Sequence, residues 1–246
     1  MEGGKKSIRE TLRRGRFWGA DYWWVARALA GGLVRRGVPA RYGRGELLPV
    51  VIIPGVLEEW TMMRAIADRL SEGGHPIHTL PELRRNTATV DDAAVLVEAY
   101  LVARGLDDVV IVAHSKGGLI AKRVLLGEHA HRIRRVVTIA TPFAGSVLAR
   151  LVPSRIVRSF APDDATILDL AAHPEVNHKI VSICPSFDPH IPGGSRLEGA
   201  TNIGVEAMGH FRTLADRQVL DEVTAAVRGA DAEPSPPTDA PDMLDS

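Results

Sequence analysis

Three short runs rich in β-branched residues constrain the fold of this chain more than any other feature. They read PVVII, DVVIVA and RVVTIA, at residues 49–53, 108–113 and 135–140. An apolar run of this length, closed by turn residues, is typical of a strand buried on both faces of a parallel sheet. Segments with helical spacing separate the runs, at 57–72, 90–104 and 116–126. Strands that alternate with helices indicate a parallel sheet covered on both faces.

Weaker patterns complete the sheet. Further strands are predicted near 76–79, 179–184 and 201–205, for six parallel strands in all, and a final helix over 212–228 that Gly229 closes. The irregular stretch at 146–172 leaves room for a short lid, but not for a separate cap domain.

The strand at 108–113 runs directly into Ala113-His114-Ser115-Lys116-Gly117-Gly118 and then into a helix. Ligands of open parallel sheets bind outside the carboxyl ends of the strands. A serine on a sharp strand–turn–helix connection projects its hydroxyl from that edge, and needs small residues two positions before and after it. Ala113 and Gly117 meet this need, so Ser115 is a candidate nucleophile. The competing interpretation is that Ser115 only caps the helix.

Four further stretches contain or follow the ends of predicted strands. They are Val51-Ile52-Ile53-Pro54-Gly55-Val56, Thr141-Pro142-Phe143-Ala144-Gly145-Ser146, Pro185-Ser186-Phe187-Asp188 and Gly209-His210. With the serine turn, they resemble the α/β-hydrolase family over about residues 48–228, and within it the small lipases and esterases. Pro54 and Phe143 stand where that family commonly has His.

This resemblance implies an α/β-hydrolase fold and a site made of Ser115, Asp188 and His210 in the order Ser–Asp–His. Ser115 would attack an ester carbonyl, His210 would relay the proton, and Asp188 would orient the imidazole. The backbone N–H groups of Val56 and Lys116 would bind the oxyanion. Because the base must be neutral, activity is expected to fall in acid as His210 takes up a proton.

Other residues compete for these roles. Asp163 and Asp164 are rivals of Asp188, but they precede a predicted helix as caps do. His114 adjoins the nucleophile, yet its side chain points to the opposite face of the strand, so we interpret it as a packing residue. The remaining histidines are expected on the surface or in loops: His75, His78, His129, His131, His173, His178 and His190.

The substrate is expected to be an ester with a linear acyl chain, either a small molecule or a lipid. Leu57, Phe143 and the apolar residues of 147–157 are the expected acyl-chain contacts. We expect no metal and no cofactor. Cys184 is the only cysteine, which excludes a disulfide framework, and Lys116-Gly117 lacks the Walker pattern of a phosphate loop.

The two ends of the chain differ in charge from the middle. Residues 1–46 form a basic segment with an aromatic helix predicted over 17–35, and residues 47–229 form the hydrolase domain. Residues 230–246 are acidic and proline-rich, and predict a disordered tail. The aromatic helix either packs on the body or contacts an anionic lipid surface through residues 13–34.

No stretch of 18 apolar residues and no cleavable signal peptide is recognised, which favours a cytoplasmic enzyme over an exported one. If the aromatic helix contacts lipid, that enzyme is a peripheral membrane protein. No nucleic-acid partner is expected. Three function classes remain open: a carboxylic-ester hydrolase, an acyltransferase or lipid-anchor deacylase with the same three residues, and a binding module that kept the fold without turnover.

Overall fold

A six-stranded sheet forms the centre of the computed structural model, which describes residues 37–232. In chain order the strands are β1 (Val50–Ile53), β2 (Ile77–Thr79), β3 (Val109–His114), β4 (Ile133–Ile139), β5 (Ile180–Phe187) and β6 (Thr201–Met208). Their spatial order is β2-β1-β3-β4-β5-β6, and every pairing is parallel. The predicted parallel six-stranded sheet is therefore confirmed.

Six α-helices lie within the described part of the chain. They are α1 (Arg64–Glu72), α2 (Val90–Arg104), α3 (Lys116–Leu125), α4 (Arg155–Arg158), α5 (Ala165–Ala171) and α6 (Arg217–Asp231). The start of α2 at Val90 agrees with the sequence prediction, because the Thr89 hydroxyl accepts the Asp92 N–H at 3.1 Å and caps the helix.

Alternate residues of each central strand enter different cores. Val51 and Ile53 of β1 pack with α2, α3 and α5 on one face of the sheet. Val50 and Ile52 pack with α1 and α6 on the other. This period of two follows from the pleat of a strand, and it explains why successive residues of β1 are all apolar and buried.

Two predicted helices have other boundaries in the structure, and the last of them begins at Arg217 after a 3-10 turn at Arg212–Ala215. The helix expected over 57–72 becomes α-helical only at Arg64, after a 3-10 turn at Trp60–Met63, because Glu58 folds back and donates its N–H to the Gly55 carbonyl. The last helix does not stop at Gly229. It continues to Asp231 because Ala230 is fully buried against the sheet.

The end of α6 is joined to the entrance of β1. The Asp231 carboxylate accepts the Leu48 N–H at 3.3 Å and lies 3.6 Å from the imidazole of His75. His75 lies in the loop before β2, as expected, but it is buried there, with its Nδ1 3.0 Å from the Leu48 carbonyl. Tyr42 is also buried in the same core, which places packed residues before position 47.

The segment expected to form a short lid consists of a 3-10 turn at Val147–Leu151 followed by α4 and α5. The predicted aromatic helix over 17–35, the lipid contact through 13–34 and the acidic tail beyond residue 232 lie outside the described residues. Among residues 37–232, none of the helices combines the length and the apolar character that crossing a bilayer requires.

Lys116 has a buried side chain that ties α3 to a loop. Its ammonium group donates to the Asn86 carbonyl at 3.0 Å and to the Ala88 carbonyl. The Asn86 amide in turn donates to the Pro54 carbonyl at 2.7 Å, directly after β1. Burial lowers the pKa of Lys116 to about 8.

Replacing a core residue of β3 tests the sheet. Ile111 is fully buried, so Ile111→Ala is expected to lower the free energy of unfolding by roughly 2–5 kcal/mol, since it removes apolar contacts and leaves a cavity. Urea denaturation followed by circular dichroism measures this loss. Val95→Ala, at an exposed position of α2, is the matched control and should change stability by less than about 0.5 kcal/mol. Equal effects of the two changes would contradict the described core.

The lowered pKa of Lys116 predicts how stability depends on pH. Because the folded pKa lies near 8 and the ordinary value is 10.5, the unfolded chain binds more protons at this position between those values. The contribution of Lys116 to the free energy of unfolding therefore rises with pH in this window, by at most about 1.4 kcal/mol per pH unit. Urea denaturation of wild type and Lys116→Met at pH 7.5 and 9.5 measures the difference. A stability gap between the two proteins that is independent of pH would refute the prediction.

Candidate active site

Ser115 occupies a strained turn between β3 and α3. Its φ is 50° and its ψ is −119°, a region that residues other than glycine rarely adopt. Its backbone N–H donates to the Ile139 carbonyl of β4 at 2.9 Å, and its own carbonyl accepts the Gly118 N–H at 3.0 Å. These bonds hold the turn in a conformation in which the hydroxyl projects outward beyond the carboxyl edge of the sheet.

Glycines next to Ser115 permit the close approach that this turn requires. A Cβ at Gly117 would lie 2.3 Å from the Ile53 carbonyl oxygen, and a Cβ at Gly118 would lie 2.1 Å from the Thr141 hydroxyl. No side chain fits at these separations. The first turn of α3 can therefore pack directly against the ends of β1 and β4.

The structure brings Ser115, His210 and Asp188 together. The Ser115 hydroxyl lies 3.0 Å from Nε2 of His210, and Nδ1 of His210 lies 2.7 Å from a carboxylate oxygen of Asp188. His210 follows β6 and Asp188 follows β5, so three strand ends supply the three side chains. All three residues are buried. This arrangement can pass a proton from a hydroxyl to an imidazole that a carboxylate orients.

Asp188 is bound through both of its oxygens. The oxygen that does not face His210 accepts the His190 N–H at 2.8 Å and the Ile191 N–H at 3.2 Å. Burial alone would raise the pKa of Asp188, but the charge and hydrogen bond of His210 and the His190 N–H together lower it. The carboxylate therefore keeps its negative charge beside the imidazole.

The loop after β1 reaches the same place. Val56 and Leu57 contribute to the lining of the cavity into which Ser115 opens, and Leu57 has a positive φ of 62°. Lys116 begins α3 directly after the serine. Val56 and Lys116, whose N–H groups are the predicted oxyanion donors, are thus both close to Ser115. Their role stays a prediction.

A largely apolar cavity of about 490 Å³ lies above Ser115. Leu57 is in its lining, as predicted for an acyl-chain contact. Phe143 is buried in the core on the α2 side and is not among the lining residues, whereas its neighbour Pro142 is. The remaining apolar lining comes from two loops, the lid segment and the residues near His210: Val56, Met62, Leu148, Ala149, Val152, Val157, Phe160, Ile191 and Phe211.

Three residues near the site were not assigned to it from sequence. His190 lines the cavity, with its ring centroid 4.9 Å from that of His210. Glu58 also contributes to the cavity lining, and it forms a buried pair with His114, whose Nδ1 lies 2.9 Å from both carboxylate oxygens. The prediction that His114 is a buried packing residue is confirmed. Its partner Glu58, 56 positions away, could not be predicted from the sequence.

The rivals of Asp188 have other partners. Asp164 caps α5 by accepting the Thr166 N–H at 3.0 Å, as the sequence suggested. Asp163 is exposed and forms an ion pair with Arg150 at 2.9 Å. Neither is hydrogen-bonded to His210.

One protein-family model matches part of the chain. It is described as a "PGAP1-like alpha/beta domain" and matches residues 82–152, which include α2, β3, the serine turn, α3 and β4. No curated protein sequence matches the chain.

Solved structures share the fold across most of the chain. The mature lipase BlEst2 of Bacillus licheniformis has a TM-score of 0.63 at 18% identity, over 78% of this chain and 96% of the lipase. An extracellular α/β-hydrolase from a Paenibacillus species has a TM-score of 0.53 at 16% identity, over 76% of this chain and 100% of the other. A thermophilic esterase from Thermogutta terrifontis has a TM-score of 0.53 at 14% identity, over 76% and 92%. The sheet order and these similarities show that the chain has the fold of the α/β-hydrolases.

Proposed function

We propose that this protein hydrolyses carboxylic esters through Ser115, His210 and Asp188. One observation carries the proposal: at the floor of an apolar cavity, a serine hydroxyl lies 3.0 Å from an imidazole that a buried carboxylate holds at 2.7 Å. Separations of this size are those of an activated nucleophile, its base and the group that orients the base.

The reaction would proceed in two stages. The Ser115 Oγ attacks the ester carbonyl carbon while His210 Nε2 takes the hydroxyl proton. His210 then returns that proton to the leaving alkoxide, which departs as the alcohol and leaves Ser115 acylated. Water attacks the acyl group, His210 accepts its proton and passes it to Ser115, and the carboxylic acid is released. Asp188 stabilises the imidazolium in both stages.

The negative charge that develops on the carbonyl oxygen during attack is stabilised by hydrogen-bond donors that are already in position. The N–H of Lys116, at the first turn of α3, and the N–H of Val56 are the proposed donors. A helix start adds its positive dipole end to the Lys116 N–H. One donor of this kind contributes about 10²–10³-fold to turnover.

The cavity supports an ester with an apolar acyl chain as the substrate. Its lining is contributed mainly by apolar side chains, and two of them, Leu57 and Val152, are also exposed to solvent. A linear chain placed there exchanges water contacts for apolar ones at about 0.8 kcal/mol per methylene. Among the structural neighbours, those from Bacillus licheniformis and Thermogutta terrifontis are named a lipase and an esterase, which agrees with this proposal.

Removing the nucleophile tests the mechanism. Ser115→Ala is expected to lower kcat for a p-nitrophenyl ester by at least about 10³-fold, because no acyl-enzyme can form. Labelling by a fluorophosphonate probe, followed by intact-protein mass spectrometry, should disappear with it. The control is Ser71→Ala on α1, which should label and turn over like wild type. Undiminished hydrolysis by Ser115→Ala would rule out the proposed nucleophile.

Chain length tests the acyl site. From the acetyl to the octanoyl p-nitrophenyl ester, kcat/KM is expected to rise by up to about fourfold per methylene. Ala149 is buried and lines the cavity, so Ala149→Phe should fill part of it and shift the preference to shorter chains. The matched control is Ala103→Phe, on the exposed side of α2, which should keep the wild-type preference. A preference unchanged by Ala149→Phe would place the acyl chain elsewhere.

A further inference from the structure

A second histidine–carboxylate pair lies next to the proposed triad. His114 is fully buried at the end of β3, and Glu58 is 4% exposed in the loop after β1. Nδ1 of His114 lies 2.9 Å from each oxygen of the Glu58 carboxylate. The rings of His114 and His210 have centroids 4.8 Å apart. The proposed mechanism assigns no role to either residue of this pair.

The hydrogen-bond partners determine how many protons the pair holds. Nε2 of His114 lies 3.1 Å from the backbone carbonyl oxygen of His210, which can only accept, so Nε2 carries a proton. Nδ1 faces a carboxyl group, and one more proton lies between them, on Nδ1 or on Glu58. In either arrangement the pair has no net charge. It can therefore hold both neighbours by hydrogen bonds without adding a net charge beside His210.

Each end of the pair holds a different part of the proposed site. At one end, Glu58 accepts the Gly55 N–H at 2.9 Å, immediately before Val56 and its proposed oxyanion N–H. A Cβ at Gly55 would lie 2.5 Å from the Glu58 carboxylate, so a side chain there would displace the carboxylate from its present position. At the other end, the His210 carbonyl accepts from His114 and also from the Thr213 hydroxyl at 2.7 Å. The backbone that carries the proposed base is thus bound from two sides.

We propose that Glu58 and His114 are positioning residues for the ester hydrolysis suggested above. The chain of hydrogen bonds from Gly55 through Glu58 and His114 to the His210 carbonyl fixes the oxyanion loop relative to the base. The inference rests on the proposed function, because it concerns the alignment of that same site. A misplacement of about 1 Å between reacting groups can lower the rate about 10²-fold, so an alignment device of this kind has a measurable effect.

The attraction between the two side chains of a buried pair contributes little net stability. Replacing a buried ionic or hydrogen-bonded pair by apolar residues of similar volume is often neutral for stability or favourable. A pair kept only for packing could therefore be exchanged for apolar side chains without loss. A pair kept for alignment could not, because apolar side chains leave the Gly55 N–H and the His210 carbonyl without these partners.

Two variants separate alignment from packing. Glu58→Gln keeps the shape and both contacts: its amide oxygen accepts the Gly55 N–H, and its NH₂ donates to Nδ1 of a neutral His114. The double variant Glu58→Leu/His114→Phe fills the same space with apolar groups and removes both contacts, without leaving an unpaired buried charge. Thermal unfolding by circular dichroism is measured for both variants, to show that each one folds.

The kinetic readout is kcat and KM for a p-nitrophenyl ester, together with the rate of fluorophosphonate labelling. The double variant is expected to lose about 10–100-fold in kcat, with KM within threefold of wild type and labelling slowed in parallel. Glu58→Gln should recover kcat to within about threefold. A folded double variant with kcat within threefold of wild type would overturn the proposal, as would a Glu58→Gln variant as slow as the double variant.

A measurement without substrate keeps this inference separate from the proposed function. The Nδ1 proton of His210, shared with Asp188, is followed as a low-field resonance in proton NMR. It should persist in wild type and in Glu58→Gln, and should be lost or broadened in the folded double variant. An unchanged resonance in the double variant overturns the positioning role. A wild type that shows the resonance but neither labels nor hydrolyses any ester contradicts the proposed function instead.

Discussion

The strained backbone at Ser115 is the constraint on which the site depends. A φ of 50° places this residue where side chains are rarely tolerated, and the turn persists because its surroundings hold it. The Ser115 N–H is bound to β4, and Gly117 and Gly118 let α3 approach the ends of β1 and β4. With a larger residue at either glycine, α3 would have to move away, and the hydroxyl would no longer meet His210. The contacts with the parallel sheet stabilise this strained conformation.

Much of this arrangement could be predicted from sequence because it follows from local rules. The apolar runs of β1, β3 and β4 are buried on both faces, so their periodicity and their turns define them. The small residues around Ser115 mark a tight turn, and the positions of Asp188 and His210 after later strands agree with the family resemblance. The structure then brings these three side chains within hydrogen-bonding distance, although the chain separates the outer two by 95 positions.

Features that depend on tertiary contacts could not be predicted in the same way. The partnership of Glu58 with His114 joins residues 56 positions apart, and no sequence pattern links the two positions. Phe143 was expected beside the acyl chain because of its place in a family-like stretch, but its ring lies in the core. Gly229 is a helix terminator by local preference, yet burial of the following Ala230 extends α6 past it. In each case long-range packing outweighs a local preference.

The contact between Asp231 and Leu48 has a practical consequence. It joins the last turn of α6 to the entrance of β1, at the amino edge of the sheet, whereas Ser115, Asp188 and His210 lie at the carboxyl edge. Whatever is fused after residue 232 therefore departs from the side opposite the cavity. A tether to a solid support or a second protein, attached there, leaves the route to the serine unobstructed, while trimming the chain before Ala230 would open the core that the helix closes.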